Sequence, residues 1–220
     1  MLQLPLGIGL RAGATFESYH AGPNGEAVSA LAAAARGEAR GPVYLWGAEG
    51  VGRSHLLQAA CHLAGSRERA AAYLPLREAR AWPLEALEGL EQLPLVCLDD
   101  LDAVAGERPW EEALFDLFNR LDEGGGTLVV TATARPAGLP LVLPDLASRL
   151  AWGLTFHLQA PGDGDLAALL REQARLRGLE LGDDVAGYLL RRCPRDAGAL
   201  VALVERLDRE SLAAQRRLTV

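Results

Sequence analysis

The sequence predicts an α/β domain, a mostly parallel sheet flanked by helices, followed by a small unit made of helices alone. Three observations carry this expectation. Short apolar runs alternate with helical patterns between residues 43 and 158. A glycine-rich turn, Gly47 to Ser54, stands between the first of those runs and a helix. After Pro161-Gly162 the strand pattern stops and only helical periodicity remains. Alternating strands and helices of this kind specify a parallel sheet covered on both faces. The expected organisation is a flexible N-terminal segment over 1–13, an α/β domain over 14–160 and a helical lid over 161–220.

Each element has its own local reason. Residues 1–13 are apolar but interrupted by Pro5, Gly7, Gly9 and Gly13, which argues against a stable helix. Glu26–Arg36 is rich in Ala and Leu behind the turn Gly22-Pro23-Asn24-Gly25 and reads as a helix. Strands are expected at Val43–Trp46, Ala70–Leu74, Leu95–Leu98, Thr127–Thr131 and Leu154–Leu158. Helices are expected at Gly52–Ala64, Trp110–Leu121 and Pro144–Leu150, and a helical turn or two at Leu84–Leu90. In Trp110–Leu121 the apolar positions 110, 113, 114, 117, 118 and 121 form one amphipathic stripe. The lid helices are Gly164–Arg177, Asp183–Arg192 and Arg195–Leu212, with Asp163, Asp183 and Pro194 as start signals.

Composition narrows the function. No apolar run reaches the ~18–20 residues needed to span a bilayer, and no secretory leader is recognisable. Three cysteines, at 61, 97 and 193, lack metal-ligand spacing and read as reduced core residues of a cytosolic protein. The net charge is −7, and every basic residue other than His is Arg. Residues 161–220 carry ten Arg against ten Asp and Glu, leaving twelve against nineteen in 1–160. Without a basic stripe, binding to nucleic acid through phosphate neutralisation is disfavoured.

Gly47-x4-Gly52-Arg53-Ser54 matches the phosphate-loop pattern G-x-x-x-x-G-K-[ST] except that Arg replaces Lys. Gly47, Gly50 and Gly52 let backbone amides converge on phosphate oxygens, and the helix behind adds the partial charge of its N-terminus. Val51 and His55 border the same loop, and Ser54 is placed for the Mg²⁺ of a triphosphate. Arg53 is planar and larger than Lys, an unconservative exchange that favours holding a nucleotide over rapid turnover. The apolar strand Leu95–Leu98 then ends in Asp99-Asp100. Asp99 is the candidate for holding Mg²⁺ through water when a triphosphate is bound. Asp100 stands where many ATPases place a Glu to orient the attacking water, and being shorter it argues for weak hydrolysis.

These motifs occur in a recognisable order. Thr15-Phe16-x2-Tyr19 and Gly22-Pro23-Asn24 precede the phosphate loop, which continues into Arg-Ser-His-Leu-Leu. Leu98-Asp99-Asp100 follows, then Asp145-Leu146-Ala147-Ser148-Arg149-Leu150-x-Trp152-Gly153, Arg195-Asp196 and a closing Ala214-Gln215-Arg216-Arg217-Leu218-Thr219. Over nearly the whole chain this resembles the AAA+ module of the bacterial DnaA initiator family and, in detail, its regulatory Hda-type branch. DnaA proteins carry a helix-turn-helix domain behind the lid, for which 220 residues leave no room, so direct sequence-specific DNA binding is not expected.

The resemblance implies roles. Arg149 is expected to act as an arginine finger in trans on ATP held by DnaA, where such a group is worth roughly 10³–10⁵ in rate. Arg195 is expected to reach the phosphates from the lid, and Thr133 to occupy the strand-end sensor position, although the Asn or Asp of the pattern is missing there. Phe16 and Tyr19 are expected near the base. Hda-type proteins begin with a clamp-binding peptide Q-L-x-L-x-[LI], and Gln3-Leu4-Pro5-Leu6-Gly7-Ile8 fits it. Docking would be extended, with Gln3 hydrogen-bonded and Leu4, Leu6 and Ile8 in apolar pockets of the sliding clamp. The implied protein binds ADP or ATP, with Mg²⁺ for a triphosphate, in the bacterial cytoplasm, and reaches the nucleoid through the clamp. Its partners are the sliding clamp and DnaA, with no membrane, and further copies of the chain remain open. It would have no turnover of its own and would activate the ATPase of DnaA, preventing re-initiation of chromosome replication. The competing reading is a self-contained AAA+ ATPase of the helicase-loader or initiator type.

Overall fold

In the computed structural model the alternating apolar runs close into one five-stranded sheet. The structure describes residues 10–11, 13–179, 181–193 and 197–214. The strands are β1 (Val43–Trp46), β2 (Ala71–Pro75), β3 (Leu95–Asp99), β4 (Thr127–Ala132) and β5 (Leu154–His157). Their order is β2-β3-β4-β1-β5 and every pairing is parallel. Helices are α1 (Gly25–Arg36), α2 (Arg53–Ser66), α3 (Leu76–Ala79), α4 (Arg108–Glu123) and α5 (Pro144–Trp152). The lid contains α6 (Asp163–Leu176), α7 (Asp183–Arg192) and α8 (Ala197–Ala214).

Strand side chains alternate between two cores, as the two-residue period requires. Val43, Leu45, Leu95, Cys97 and Val129 pack with α1 and α2 through Leu31, Leu56, Leu57 and Ala60. Tyr44, Val96, Leu98, Leu128 and Val130 face the other side, against Leu114, Leu117 and Phe118 of α4 and Leu146 and Leu150 of α5. Burial on both faces explains why these strands read as continuous apolar runs. The exception is β5, an edge strand with exposed Leu154, Thr155 and His157. Cys61, Cys97 and Cys193 are free thiols. The lid has its own core of Leu166, Leu170, Ala174, Leu200 and Val204.

The chain departs from its sequence reading at several points. The helical turn or two expected at Leu84–Leu90 takes the form of two 3₁₀ turns, Leu84–Leu87 and Leu90–Gln92. Gly89 between them takes φ +84°, and so short a segment cannot offset the cost of nucleating an α-helix. A four-residue helix, α3, follows β2 directly and had no periodic signal to announce it. Leu10 and Arg11 lie against α2, where the Arg11 amide donates to Gln58 Oε1 at 2.9 Å. Within the segment 1–13, Leu10 and Arg11 are thus held against the domain. No helix among the described residues is long and apolar enough to cross a membrane.

Candidate functional site: a phosphate cradle beneath a helical lid

The loop between β1 and α2 is shaped by glycine. A Cβ at Gly47 would lie 2.6 Å from the carbonyl oxygen of Leu158. Gly52 has φ +95°, and a Cβ there would stand 2.6 Å from Cε2 of Tyr19. No side chain fits either place. The turn therefore brings backbone close to whatever occupies the concavity, at the N-terminus of a 14-residue helix whose first amides lack intrahelical partners.

That concavity is a cavity of about 880 Å³. Gly50, Val51, Gly52, Arg53, Ser54 and His55 form one wall, with Tyr19 and Asn24 beside them. The lid closes the opposite wall with Leu169, Gln173, Leu176 and Arg177 of the α6 region and with Val201 and Glu205 of α8. Tyr19 ties the N-terminal segment to the loop: its hydroxyl donates to Val51 O at 3.1 Å and accepts from Asn24 Nδ2 at 3.0 Å. Asn24 in turn holds Gln159 from both sides, accepting from its amide at 2.8 Å and donating to its carbonyl at 3.0 Å. His55 Nε2 donates to Thr15 O at 2.8 Å. Burial holds His55 below the ordinary imidazole range, opposed in part by that hydrogen bond.

The acidic strand end divides its two carboxylates. Asp99 is buried, and its oxygens accept from the hydroxyls of Tyr73 at 2.7 Å and Thr131 at 2.5 Å. Tyr73 is pushed up by burial first and by the Asp99 charge second. Asp100 turns away, with φ +58°, its amide donating to Thr131 Oγ1 at 3.0 Å. Its carboxylate lies between two arginines, 3.1 Å from Arg53 Nη2 and 3.2 Å from Arg77 Nε. The approach to Arg53 is an ion pair whose alignment falls short of a hydrogen bond, leaving Asp100 Oδ1 buried without a partner; Arg53 Nη1, outside the pair, is also buried without one. In the lid, Arg177 donates to Gln173 Oε1 at 2.8 Å and to Glu205 Oε1 at 2.9 Å.

Several expected residues lie elsewhere. Gly47 shapes the loop from behind without lining the cavity. Phe16 packs into the α1–α2 core, where an apolar ring gains more than at a polar wall. Thr133 does not line the cavity either: its amide and hydroxyl both donate to Asp102. The residue touching Asp99 is Thr131, two positions earlier. Arg149 lies on α5, outside the cavity, with its guanidinium 5.7 Å from the Phe118 ring centroid and 5.8 Å from that of Trp152. It forms no ion pair among the described residues, so the Asp145 pairing that i,i+4 spacing allows is not made. Gln3, Leu4, Leu6, Ile8 and Arg195 lie outside the described residues.

The cradle suits a phosphate. It offers a helix N-terminus, a backbone no side chain could line and a buried guanidinium with an unmet donor. Mg²⁺ is served less well. Ser54 lines the cavity, but Asp99 does not, and both its oxygens are already engaged by Tyr73 and Thr131. Among the described residues no three His, Cys, Asp or Glu side chains gather as metal ligands.

Comparison with known proteins agrees with this architecture. Residues 84–157 match the bacterial DnaA ATPase domain, and residues 163–220 match the family described as Hda, lid domain. Two segments of the chain are thus similar to the DnaA ATPase domain and to the Hda lid. Domain III of the Thermotoga maritima replication initiation protein DnaA superposes with TM-score 0.79 at 21% identity, covering 96% of this chain and 94% of that one. AMPPCP-bound DnaA from Aquifex aeolicus gives 0.77 at 24% identity, over 93% and 72%. A mutant of Thermotoga maritima RuvB gives 0.66 at 19%, over 88% and 64%. At these identities the superpositions show the shared AAA+ fold.

In this AAA+ protein the structure also adds site residues that motif reading passed over. Arg77 reaches Asp100 because β2 neighbours β3, so the chain leaving β2 emerges beside the end of β3. The rule that ligands sit outside the carboxyl ends of parallel strands could have nominated it. Gln173, Arg177 and Glu205 carried no usable signal, since charged residues on lid helices ordinarily face solvent.

Proposed function

We propose that this DnaA-related protein regulates replication initiation by holding a nucleotide as a structural ligand and acting on the ATP of DnaA. In this reading the phosphate loop, Arg53 and Ser54 bind the phosphates of ADP or ATP, and the lid residues close over them. The bound nucleotide fixes the relation of lid to sheet. Gln3, Leu4, Leu6 and Ile8 would attach the chain to the sliding clamp, bringing it to DnaA on DNA.

The observation that carries the proposal is the setting of Arg149. It stands outside its own chain's cavity, has no carboxylate partner among the described residues, and rests on Phe118 and a Trp152 that is 62% exposed. A guanidinium held by ring faces keeps its charge and donors free for an outside phosphate. Presented to the ATP site of DnaA, it would stabilise charge developing on the transferred phosphoryl group. In the chain's own cavity Asp100, engaged with two arginines, is poorly placed to orient water, so intrinsic turnover should be slow.

The test is a pair of variants. Arg149→Ala should lose the stimulation of DnaA-bound ATP hydrolysis, by about 10³-fold if the finger carries its usual weight, while still binding clamp in a pull-down. Deleting residues 1–8 should abolish the pull-down. Retained stimulation by Arg149→Ala would overturn the trans role. Rapid ATP turnover by the isolated chain would favour a self-contained ATPase instead.

A further inference from the structure

The cation of the phosphate loop is already engaged, and by the wrong kind of partner for a nucleotide site. Arg53 is the first residue of α2 and is only 7% exposed, yet its Nη2 lies 3.1 Å from Asp100 Oδ1. Asp100 Oδ1 stays buried without a hydrogen bond, and so does Arg53 Nη1, the guanidinium nitrogen outside the pair. An unmet donor on a buried, permanently charged group is costly, and a phosphate would satisfy two guanidinium N–H groups in parallel. Asp100 has a second partner: Arg77 donates to its Oδ2 at 3.2 Å from a side chain that is 66% exposed. Asp99 is no substitute, since its oxygens already accept from Tyr73 and Thr131.

We infer that Asp100 competes with the nucleotide's phosphate for Arg53, and that Arg77 keeps the carboxylate neutralised when phosphate takes its place. The inference rests on the nucleotide-binding reading above. Asp100 weakens phosphate binding by repulsion and by occupying the guanidinium. Arg77, which also lines the cavity, opposes this by holding the carboxylate. The exchange is one-for-one in ion pairs: Arg53 leaves a carboxylate for a phosphate, and the carboxylate stays with Arg77.

The arrangement makes a double-mutant prediction that simple electrostatic bookkeeping does not. Removing Arg77's positive charge near the site would weaken phosphate binding through space whether or not Asp100 is charged. If Arg77 acts through Asp100, the effect must vanish once Asp100 is neutral. The experiment is isothermal titration of the full chain with ADP, in Mg²⁺ and in EDTA, for wild type, Asp100→Asn, Arg77→Gln and the double variant. Asp100→Asn should tighten ADP about fivefold or more, and Arg77→Gln should weaken it about threefold. The double variant should bind within about twofold of Asp100→Asn. Asp100→Ser serves as a second neutral replacement should the Asn side chain disturb folding, with the thermal midpoint as control. Asp100→Asn binding no tighter than wild type, or an Arg77→Gln effect undiminished in the double variant, would overturn the inference. If wild type itself takes up no ADP, the nucleotide reading fails, and this inference with it.

Discussion

Glu111 has the most consequential buried charge outside the phosphate cradle. It lies in the first turn of α4, is 0% exposed, and its carboxylate accepts from three backbone amides. These are Gly106 at 2.7 Å, Val142 at 2.9 Å and Leu143 at 2.7 Å. The last two lead directly into α5, which carries Arg149, so this carboxylate fixes where α5 begins. Glu111→Ala strands three donors at about 1–3 kcal/mol each when buried. Val142 is 51% exposed and water can recover part of its share. The expected loss is about 3 kcal/mol, or a fall in Tm of about 6–12 °C for a chain of this length. Glu111→Gln keeps one acceptor oxygen but turns an NH₂ toward the remaining amides, which should cost about half as much. All four tryptophans, at 46, 82, 110 and 152, belong to the α/β domain, so fluorescence during urea unfolding reports this region. Glu112, next in sequence but half exposed and paired with Arg108, provides the control; its Ala variant should lie within about 0.5 kcal/mol of wild type. If Glu111→Ala is equally mild, the argument that a buried carboxylate secures the α5 entry is wrong.

Further expectations concern the loop and its anchors. Gly52→Ala places a side chain at φ +95° and against the Tyr19 ring, so it should abolish ADP binding in a titration and lower stability by about 1–3 kcal/mol. For His55, burial depresses the folded-state value below the unfolded one near 6.5. Its contribution is therefore complete above that value and is lost as pH falls through the lower, folded one. Urea midpoints measured from pH 7 down to pH 5 should fall more steeply for wild type than for His55→Gln; parallel slopes would refute this. Leu170→Ala empties a fully buried position of the lid core and should cost about 2–5 kcal/mol. Limited proteolysis should then cut faster after residue 161, and ADP affinity should fall because the lid wall is loosened.

The glycine-rich loop, the strand–helix alternation and the presence of a helical lid were legible because each depends on neighbours in sequence. Glycine spacing, two-residue alternation and helical stripes are local physics. Glu111 was passed over. It falls on the buried stripe with 114, 118 and 121, and a carboxylate there demands an explanation. The stretch 84–90 marks the limit of the same method: a helical turn or two was legible there but not its 3₁₀ form, since a short apolar stretch fits more than one local conformation.

What the sequence by itself determined, then, was the inventory: a phosphate cradle with Arg53 as its cation, two carboxylates at a strand end, and an arginine on a short helix at 149. The tertiary structure decided who meets whom. Strand order β2-β3-β4-β1-β5 places Arg77 beside Asp100 and lets Asp100 face Arg53, 47 residues away in the chain. It sets Thr131, not Thr133, against Asp99, and folds Tyr19 over the loop. The physical reason is one of range. Backbone preferences act within a few residues, whereas pairing between charges is fixed only when packing brings distant segments together.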